Sequence, residues 1–307
     1  MPSLVAIRGM KIRTLESNQW PTLAPFFHTH NVAPARCLHS HTGTTAQAYG
    51  AELATLPSAS ACFVMAELET GCAGVMGAEF SLESKRAWLR GPVLDAALSE
   101  STASDVRDAL WGRLSAALPA GVQRLDSFLD IGNVTGLQWY RRCGFIEQPC
   151  YFIYEAQRGQ SLPTVPENVH AASASQHASL LELAHLVFPS GYLTDAELTV
   201  ANNDQHALFV IADGNRVEGY VYANIINATT EDAEVYVDYL VVRPDARGRT
   251  LGRTLLQAAL SWGFADHGVS KAALTVASDN ANAQGLYASV GFKLLATGVP
   301  MRLDRGC

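Results

Sequence analysis

The stretch Val241–Leu256, VVRPDARGRTLGRTLL, joins an apolar, strand-like run to a leucine-rich helix through a turn of arginines and glycines. Pro244 ends the strand, because a proline cannot donate a hydrogen bond to a sheet. A helix that begins after this turn presents unpaired N–H groups and the positive end of its dipole, and both attract anions. Glycines leave the backbone accessible, and arginines make bidentate contacts with phosphate. The stretch therefore predicts a pyrophosphate-binding turn, with a solvated basic turn as the alternative.

A second motif indicates an internal repeat. The sequence NANAQGLYASVGF at Asn280–Phe292 matches NVTGLQWYRRCGF at Asn133–Phe145 without a gap, at an offset close to half of the 307-residue chain. Such a repeat predicts two copies of one domain. The segment Glu155–Val169 is typical of a linker because it carries two prolines and many polar residues. The predicted domains are therefore residues 1–160 and 161–307.

The second half gives the clearer pattern of helices and strands. Leu180–Phe188 has helical spacing of leucines, and Asp213–Asn215 predicts the turn of a hairpin. A long strand ends at Pro244, and Thr250–His267 has the apolar stripe of a helix. A strand, a short helix and a last strand follow. The first half repeats this order with weaker signals, so the fold class is predicted as α+β, each copy being a mixed, mostly antiparallel sheet flanked by helices.

The turn and the later motif, in this order, resemble the GCN5-related N-acetyltransferase (GNAT) family. The resemblance implies two tandem GNAT-like domains and acetyl-CoA as the co-substrate. The tandem arrangement is similar to that of mycothiol synthase, a likeness of architecture that carries no substrate with it. In the family the turn holds the pyrophosphate, the preceding strand pairs with the pantetheine arm, and a helical tyrosine faces the thiol.

The residues that the resemblance implies for acetyl-CoA binding lie on the strand, the turn and the following helices. They are Leu240, Val241, Val242, Arg247, Gly248, Arg249, Thr250, Leu251, Gly252, Arg253, Asn280, Ala283 and Tyr287. Thr250 departs from the family, which usually has glycine at that position. Its hydroxyl could bond a phosphate oxygen or its Cβ could crowd the ligand, and binding is expected to survive in weakened form. Asn280 could instead cap the helix that follows it, which is the commoner role for such an asparagine.

The first copy departs further from the family. Moved back by one repeat, the turn falls on Glu100–Val106, ESTASDV, which has neither glycine nor arginine. Its two acids would repel a pyrophosphate. The first copy is therefore expected to keep the fold without a cofactor turn.

Acyl transfer to an amine requires a positioned thioester, a neutral amine and a proton for the departing thiolate. Tyr287 is predicted to be the acid, because a phenol can donate to a thiolate; the alternative is a core tyrosine. Its counterpart Tyr140 has no cofactor turn beside it and is predicted to be structural.

The base is sought on the long strand AEVYVDYLVV. Strand alternation would place Asp238 on one face with Leu240 and Val242, and Glu234 on the same face. Asp238, and then Glu234, are the candidates for accepting the amine proton, directly or through water. A solvated strand carboxylate is the alternative.

These residues predict an N-acetyltransferase that moves an acetyl group from acetyl-CoA to a primary amine of a small molecule or peptide by direct attack in a ternary complex. The alternative is a non-catalytic acyl-CoA-binding sensor or scaffold. The acceptor loop is expected at Phe188–Leu193, which could equally be an ordinary surface loop.

Composition excludes several other functions. The formal net charge of −7 disfavours nucleic-acid binding, and no apolar run is long enough to predict a membrane span. The six cysteines form no CxxC pair, which favours reduced thiols and a cytoplasmic protein. Two His-x-His pairs, at residues 28–30 and 39–41, surround Cys37, but nothing fixes a metal-ligand set and no metal is expected.

Overall fold

The computed structural model describes residues 9–39, 45–159, 167–188 and 202–306. The strands are β1 (Lys11–Leu15), β2 (Ala61–Leu68), β3 (Gly71–Ser81), β4 (Arg86–Leu94), β5 (Arg124–Asp130), β6 (Ile146–Glu147), β7 (Tyr151–Gln157), β8 (His170–Ala171), β9 (His206–Asp213), β10 (Arg216–Ile226), β11 (Glu234–Val242), β12 (Lys271–Ala277) and β13 (Lys293–Asp304). The helices are α1 (Ala24–His30), α2 (Ala46–Thr55), α3 (Glu100–Ala117), α4 (Val134–Arg142), α5 (His177–Val187), α6 (Leu251–Ser261) and α7 (Ala281–Val290).

The chain forms two compact units. The first is Met1–Tyr151 together with Thr297–Cys307, and the second is Phe152–Ala296. This division differs from the predicted domains, residues 1–160 and 161–307, in two ways. The second unit begins at Phe152, and the end of the chain from Thr297 belongs to the first unit. There, residues 298–304 of β13 pair antiparallel with the whole of β5, and Val299 and Met301 are buried in the first core.

The first unit is a sheet in the order β1-β2-β3-β4-β5-β13. Its pairs are antiparallel except for β4 and β5, which run parallel. Ser99 caps the start of helix α3, because its side chain accepts the N–H of Thr102. Its buried residues Val106, Leu110 and Leu114 recur every four residues, which places them on the one helical face that packs against the sheet.

The second unit repeats this plan, with the order β7-β12-β11-β10-β9-β8. Strands β11 and β12 are its parallel pair, whereas β8, β9, β10 and β11 pair antiparallel in sequence. Helix α6 packs on β9, β10 and β11 through a stripe that includes Leu251, Leu255 and Leu256. The predicted α+β class, with mixed and mostly antiparallel sheets flanked by helices, is confirmed.

A bulge occurs at the same point of both units. Strand β4 has one residue more than β3 around Gly91, and β11 has one more than β10 at Asp238. Gly91 and Asp238 are equivalent positions of the repeat. The parallel pairs end close by, at Trp88 opposite Asp126 and at Val237 opposite Leu274. Beyond these pairs the parallel strands separate, so each unit has an opening between them.

Replacing a buried residue of β13 tests where the end of the chain belongs. Met301 has no exposed surface in the first core, so Met301→Ala should destabilise that unit by about 3 kcal/mol. Urea unfolding measures the loss, and hydrogen exchange of the β5 amides locates it. Leu295→Ala is the control, because Leu295 is exposed on the same strand and its loss should cost less than about 0.5 kcal/mol. Full protection of β5 in Met301→Ala would contradict this assignment.

Candidate active site

The turn between β11 and α6 has a left-handed backbone at two positions. The φ angles are 79° at Gly248 and 60° at Thr250. A Cβ on Gly248 would meet no atom within 4 Å, so this glycine suits the backbone angle and leaves open space beside the turn. A β-branched residue in this region costs about 1–2 kcal/mol. Thr250 therefore strains the turn, and its hydroxyl donates to the carbonyl of Arg249 at 2.6 Å rather than pointing to an open site.

The beginning of α6 is an uncapped helix end. Thr250 occupies the N-cap position, but its side chain makes no capping hydrogen bond. The N–H groups of Leu251, Gly252 and Arg253 precede the first helical bond, which Thr254 donates to Thr250 at 3.1 Å. A helix end of this kind can bind an anion.

One arginine of the basic turn has a structural role. Arg243 is buried, and its Nε donates to the carbonyl of Val217 at 3.1 Å. Its guanidinium also forms an ion pair with Glu182 of α5 at 3.3 Å. Arg243 therefore ties the end of β11 to α5 and adds no free charge to the turn.

The other three arginines are exposed and differ in their partners. Arg249 forms an ion pair with Glu218 at 2.8 Å, and Arg253 donates to the Ser289 hydroxyl at 2.6 Å. The guanidinium of Arg247 makes no hydrogen bond or ion pair within the described ranges of the chain. Of the predicted cationic residues, Arg247 is thus the one whose guanidinium is uncommitted.

Two further predicted positions organise the helices around the turn. A Cβ on Gly252 would lie 3.2 Å from a terminal methyl of Leu286, so the missing side chain lets α6 approach α7 closely. Asn280 caps α7, because its side-chain oxygen accepts the N–H of Ala283 at 3.2 Å. The capping role of Asn280 is confirmed, and any contact with a cofactor stays a prediction.

The strand edge beside the turn faces the opening. Because β12 no longer pairs with β11 after Val237, alternate residues of the segment 240–242 direct N–H and C=O groups into the opening. The side chains of Leu240 and Val242 pack on the α6 side of the sheet, and Val241 is buried on the α5 side. This edge therefore presents the backbone of residues 240–242 to the opening, rather than their side chains.

The prediction that Asp238 and Glu234 share a face with Leu240 and Val242 is wrong. Val235 and Val237 pack in the same core as Leu240 and Val242, so Glu234 and Asp238 lie on the opposite face. The bulge is the physical cause: one extra residue at Asp238 reverses the alternation of every side chain beyond it.

Asp238 is exposed and belongs to a polar chain that sequence reasoning missed. The side-chain amide of Asn224 donates to the Asp238 carboxylate. His206 Nδ1 donates to the side-chain oxygen of Asn224 at 2.6 Å. The Tyr222 hydroxyl lies 3.2 Å from His206 Nδ1. The hairpin at Asp213–Asn215 could have revealed these residues, because its register places His206 opposite Asn224.

Tyr287 and its counterpart in the first unit use their hydroxyls differently. Tyr140 is fully buried and donates to the carbonyl of Gly91, the bulge residue of β4. The Tyr287 ring packs 6.2 Å from Tyr154 and 6.0 Å from Phe292. Within the residues that the structure describes, its hydroxyl has no hydrogen-bond partner. Burial raises the pKa of Tyr287 to about 12, so the phenol keeps its proton at neutral pH.

Glu234 lies away from the opening. It begins β11, four residues before Asp238, which is roughly 13 Å along a strand. The side chain is buried, 3.9 Å from Lys271. Burial raises the pKa of Glu234 to about 7, against the opposing effect of Lys271, with Glu155 and Asp232 adding to the rise. The structure thus separates the two candidate bases, and Asp238 is the one beside the opening.

Two other predicted features fall partly outside the described residues. Of the acceptor loop, only Phe188 is described, and its ring lies 5.5 Å from that of Tyr239. Of the second His-x-His pair, Ser40 and His41 lie outside the described residues. Over the described ranges, no three or more His, Cys, Asp or Glu side chains are arranged to hold a metal ion. No helix in those ranges has the length and apolar character needed to cross a membrane.

Comparison with known proteins identifies this arrangement. Residues 177–292 match the model of the acetyltransferase (GNAT) family. These residues form a GNAT domain. No curated protein matches the sequence.

Solved structures extend the likeness to nearly the whole chain. A GCN5-related N-acetyltransferase from Sphaerobacter thermophilus has a TM-score of 0.67 at 16% identity, covering 97% of this chain and 96% of that one. A tandem GNAT protein from the clavulanic acid biosynthesis pathway, solved without AcCoA, has a TM-score of 0.68 at 14% identity, covering 97% and 99%. At these identities the likeness shows the fold, which is that of two tandem GNAT-like domains.

The buried carboxyl of the GNAT domain gives a pH-dependent prediction. The pKa of Glu234 is higher in the folded chain than in the unfolded one. Ionisation of Glu234 therefore lowers the free energy of unfolding as the pH rises, and this loss is complete above about pH 7. The Glu234→Gln variant should therefore gain stability relative to the wild type between about pH 5 and pH 8, by about 2–3 kcal/mol at about 1.4 kcal/mol per pKa unit.

Urea unfolding at a series of pH values measures this gain. Glu231→Gln is the control, because Glu231 is exposed on the preceding loop and its replacement should give a difference independent of pH. A Glu234→Gln difference that stays flat from pH 5 to pH 8 would show that Glu234 ionises normally.

Proposed function

We propose that the GNAT domain of the second unit transfers an acetyl group from acetyl-CoA to a primary amine of a small molecule or peptide, by direct attack in a ternary complex. The observation that carries this proposal is the uncapped start of α6 beside the part of β11 that lies beyond its pairing with β12, within the residues that match the acetyltransferase family. The cytoplasmic location expected from the cysteines remains a prediction.

The residues present suit acetyl-CoA. The amides of Leu251, Gly252 and Arg253 and the uncommitted guanidinium of Arg247 would hold the pyrophosphate. The backbone of the segment 240–242 would pair with the amide-bearing pantetheine arm. Glu218 opposes this fit in part, because its carboxylate already neutralises Arg249. The main anion contacts are therefore expected from the helix end and Arg247.

Tyr287 and Asp238 would divide the proton transfers. The amine nitrogen attacks the thioester carbonyl, and the carbon–sulfur bond breaks. Asp238 takes the proton that the nitrogen loses, directly or through water, while Asn224 holds its carboxylate in place. Tyr287 supplies a proton to the departing sulfur, since its raised pKa of about 12 keeps it protonated and its hydroxyl is uncommitted within the described chain.

Removing one hydroxyl tests the acid role and separates an enzyme from an acyl-CoA sensor. In Tyr287→Phe, release of CoA from acetyl-CoA with an accepted amine should fall about 100-fold in kcat, with the Kd for acetyl-CoA unchanged by calorimetry. Tyr140→Phe is the matched control from the repeat and should leave kcat unaltered. Unaltered turnover in Tyr287→Phe would remove the tyrosine from the mechanism. Binding of acetyl-CoA without CoA release from any amine would favour the sensor.

A further inference from the structure

The first unit contains a cavity of about 280 Å³ beside the opening between β4 and β5. Its lining includes Asn133, Gly136 and Tyr140, which the repeat aligns with the predicted cofactor residues of the GNAT domain. The cavity thus occupies the position in the first unit where the second unit is proposed to bind acetyl-CoA.

The chain itself fills the strand opening next to this cavity. The segment Cys37–His39 pairs with β5: the His39 N–H donates to the Phe128 carbonyl at 2.8 Å, and the Asp130 N–H donates to the Cys37 carbonyl at 3.1 Å. Because β13 pairs with the other edge of β5, this segment lies on the edge that faces β4. An extended cofactor arm therefore has no free edge of β5 beside which to lie.

The segment is a fixed part of the core. Leu38 is 2% exposed and forms a bridge with Leu129 of β5. The side chain of Asn31 is also buried, and it both accepts from the Leu38 N–H and donates to the Leu38 carbonyl, each at 2.9 Å. Displacing Leu38 would break both of these buried hydrogen bonds, which costs about 1–3 kcal/mol. The cavity therefore suits a short ligand rather than one that extends into the strand opening.

One cation of the lining is Arg107, which is half-buried on α3. Within the described residues its guanidinium makes no hydrogen bond and no ion pair. Burial, and then the nearby charge of Arg142, lower its pKa, whereas the nearby carboxylates of Asp108 and Glu100 raise it. A guanidinium that is partly removed from water without a partner favours binding of an anion, and its planar fork fits a carboxylate.

The remaining lining sets the charge and character of that anion. Asp95 and Glu100 also line the cavity and would repel a doubly charged phosphate. Arg36 provides a further positive charge at the lining. Leu38, Leu94, Leu98 and Leu129 add apolar surface to the walls. A ligand with one negative charge and an apolar carbon skeleton suits both the charged residues and the leucines of this lining.

We propose that this cavity binds a small monocarboxylate with a short apolar chain or ring, its carboxylate on Arg107 and its carbon skeleton against the leucines. The site is separate from the acetyl-CoA site of the GNAT domain and does not depend on the proposed transferase activity.

Benzoate and its neutral isostere benzamide are suitable probes. Saturation-transfer NMR and calorimetry on the full chain should give benzoate a Kd of about 1 mM or lower, with benzamide at least about tenfold weaker. Arg107→Gln should weaken benzoate at least about tenfold and leave benzamide unaltered. Arg113→Gln is the control, because Arg113 is exposed on the same helix and does not line the cavity.

A second variant keeps the test decisive if Arg107→Gln fails to fold. Ala103→Leu adds methyl groups inside the lining and should abolish benzoate binding, while the affinity of the second unit for acetyl-CoA stays the same. Three results would overturn the proposal: no benzoate binding by the wild type at about 10 mM, equal binding of benzamide, or benzoate binding that neither variant weakens.

Discussion

The one-residue bulge at Asp238 is the constraint on which the candidate site depends. It reverses the side-chain alternation of β11, so that Leu240 and Val242 pack under α6 while Asp238 stays on the other face. Pairing with β12 ends immediately before it. The bulge and the end of the parallel pairing thus fall at neighbouring residues, next to the backbone that leads to α6.

The two units show how one fold carries different sites. Both have the bulge, the parting parallel strands and a tyrosine on the helix behind them. In the first unit the tyrosine hydroxyl binds the bulge carbonyl, and the chain pairs with β5 in the opening. In the GNAT domain the corresponding hydroxyl has no partner in the described chain, and the helix end is uncapped. The differences lie in side chains and one loop, which the fold tolerates.

Sequence reasoning predicted the features that have local causes. Pro244 marks the end of β11, the leucine stripe marks α6, and Asn280 precedes a helix that it caps. Comparing the two motifs was enough to predict the duplicated fold. The departure of Glu100–Val106 from the cofactor motif was equally visible in the sequence.

The remaining features arise from non-local pairing. A single extra residue leaves no mark in hydropathy, so the face of Asp238 was predicted wrongly. The pairing of residues 298–304 with β5, and of Cys37–His39 with the same strand, joins segments that no local pattern connects. The ion pairs that commit Arg243 and Arg249 likewise depend on partners from α5 and β10.

Calorimetry with acetyl-CoA shows whether the start of α6 and Arg247 hold a pyrophosphate, and whether they do so in the second unit alone. We expect one site per chain and a Kd at least about tenfold weaker in Arg247→Glu, equivalent to about 1.4 kcal/mol. Lys293→Glu makes the same charge change at an exposed site on β13 and should bind as the wild type does. No heat of binding, two sites per chain, or equal affinity in Arg247→Glu would contradict this expectation.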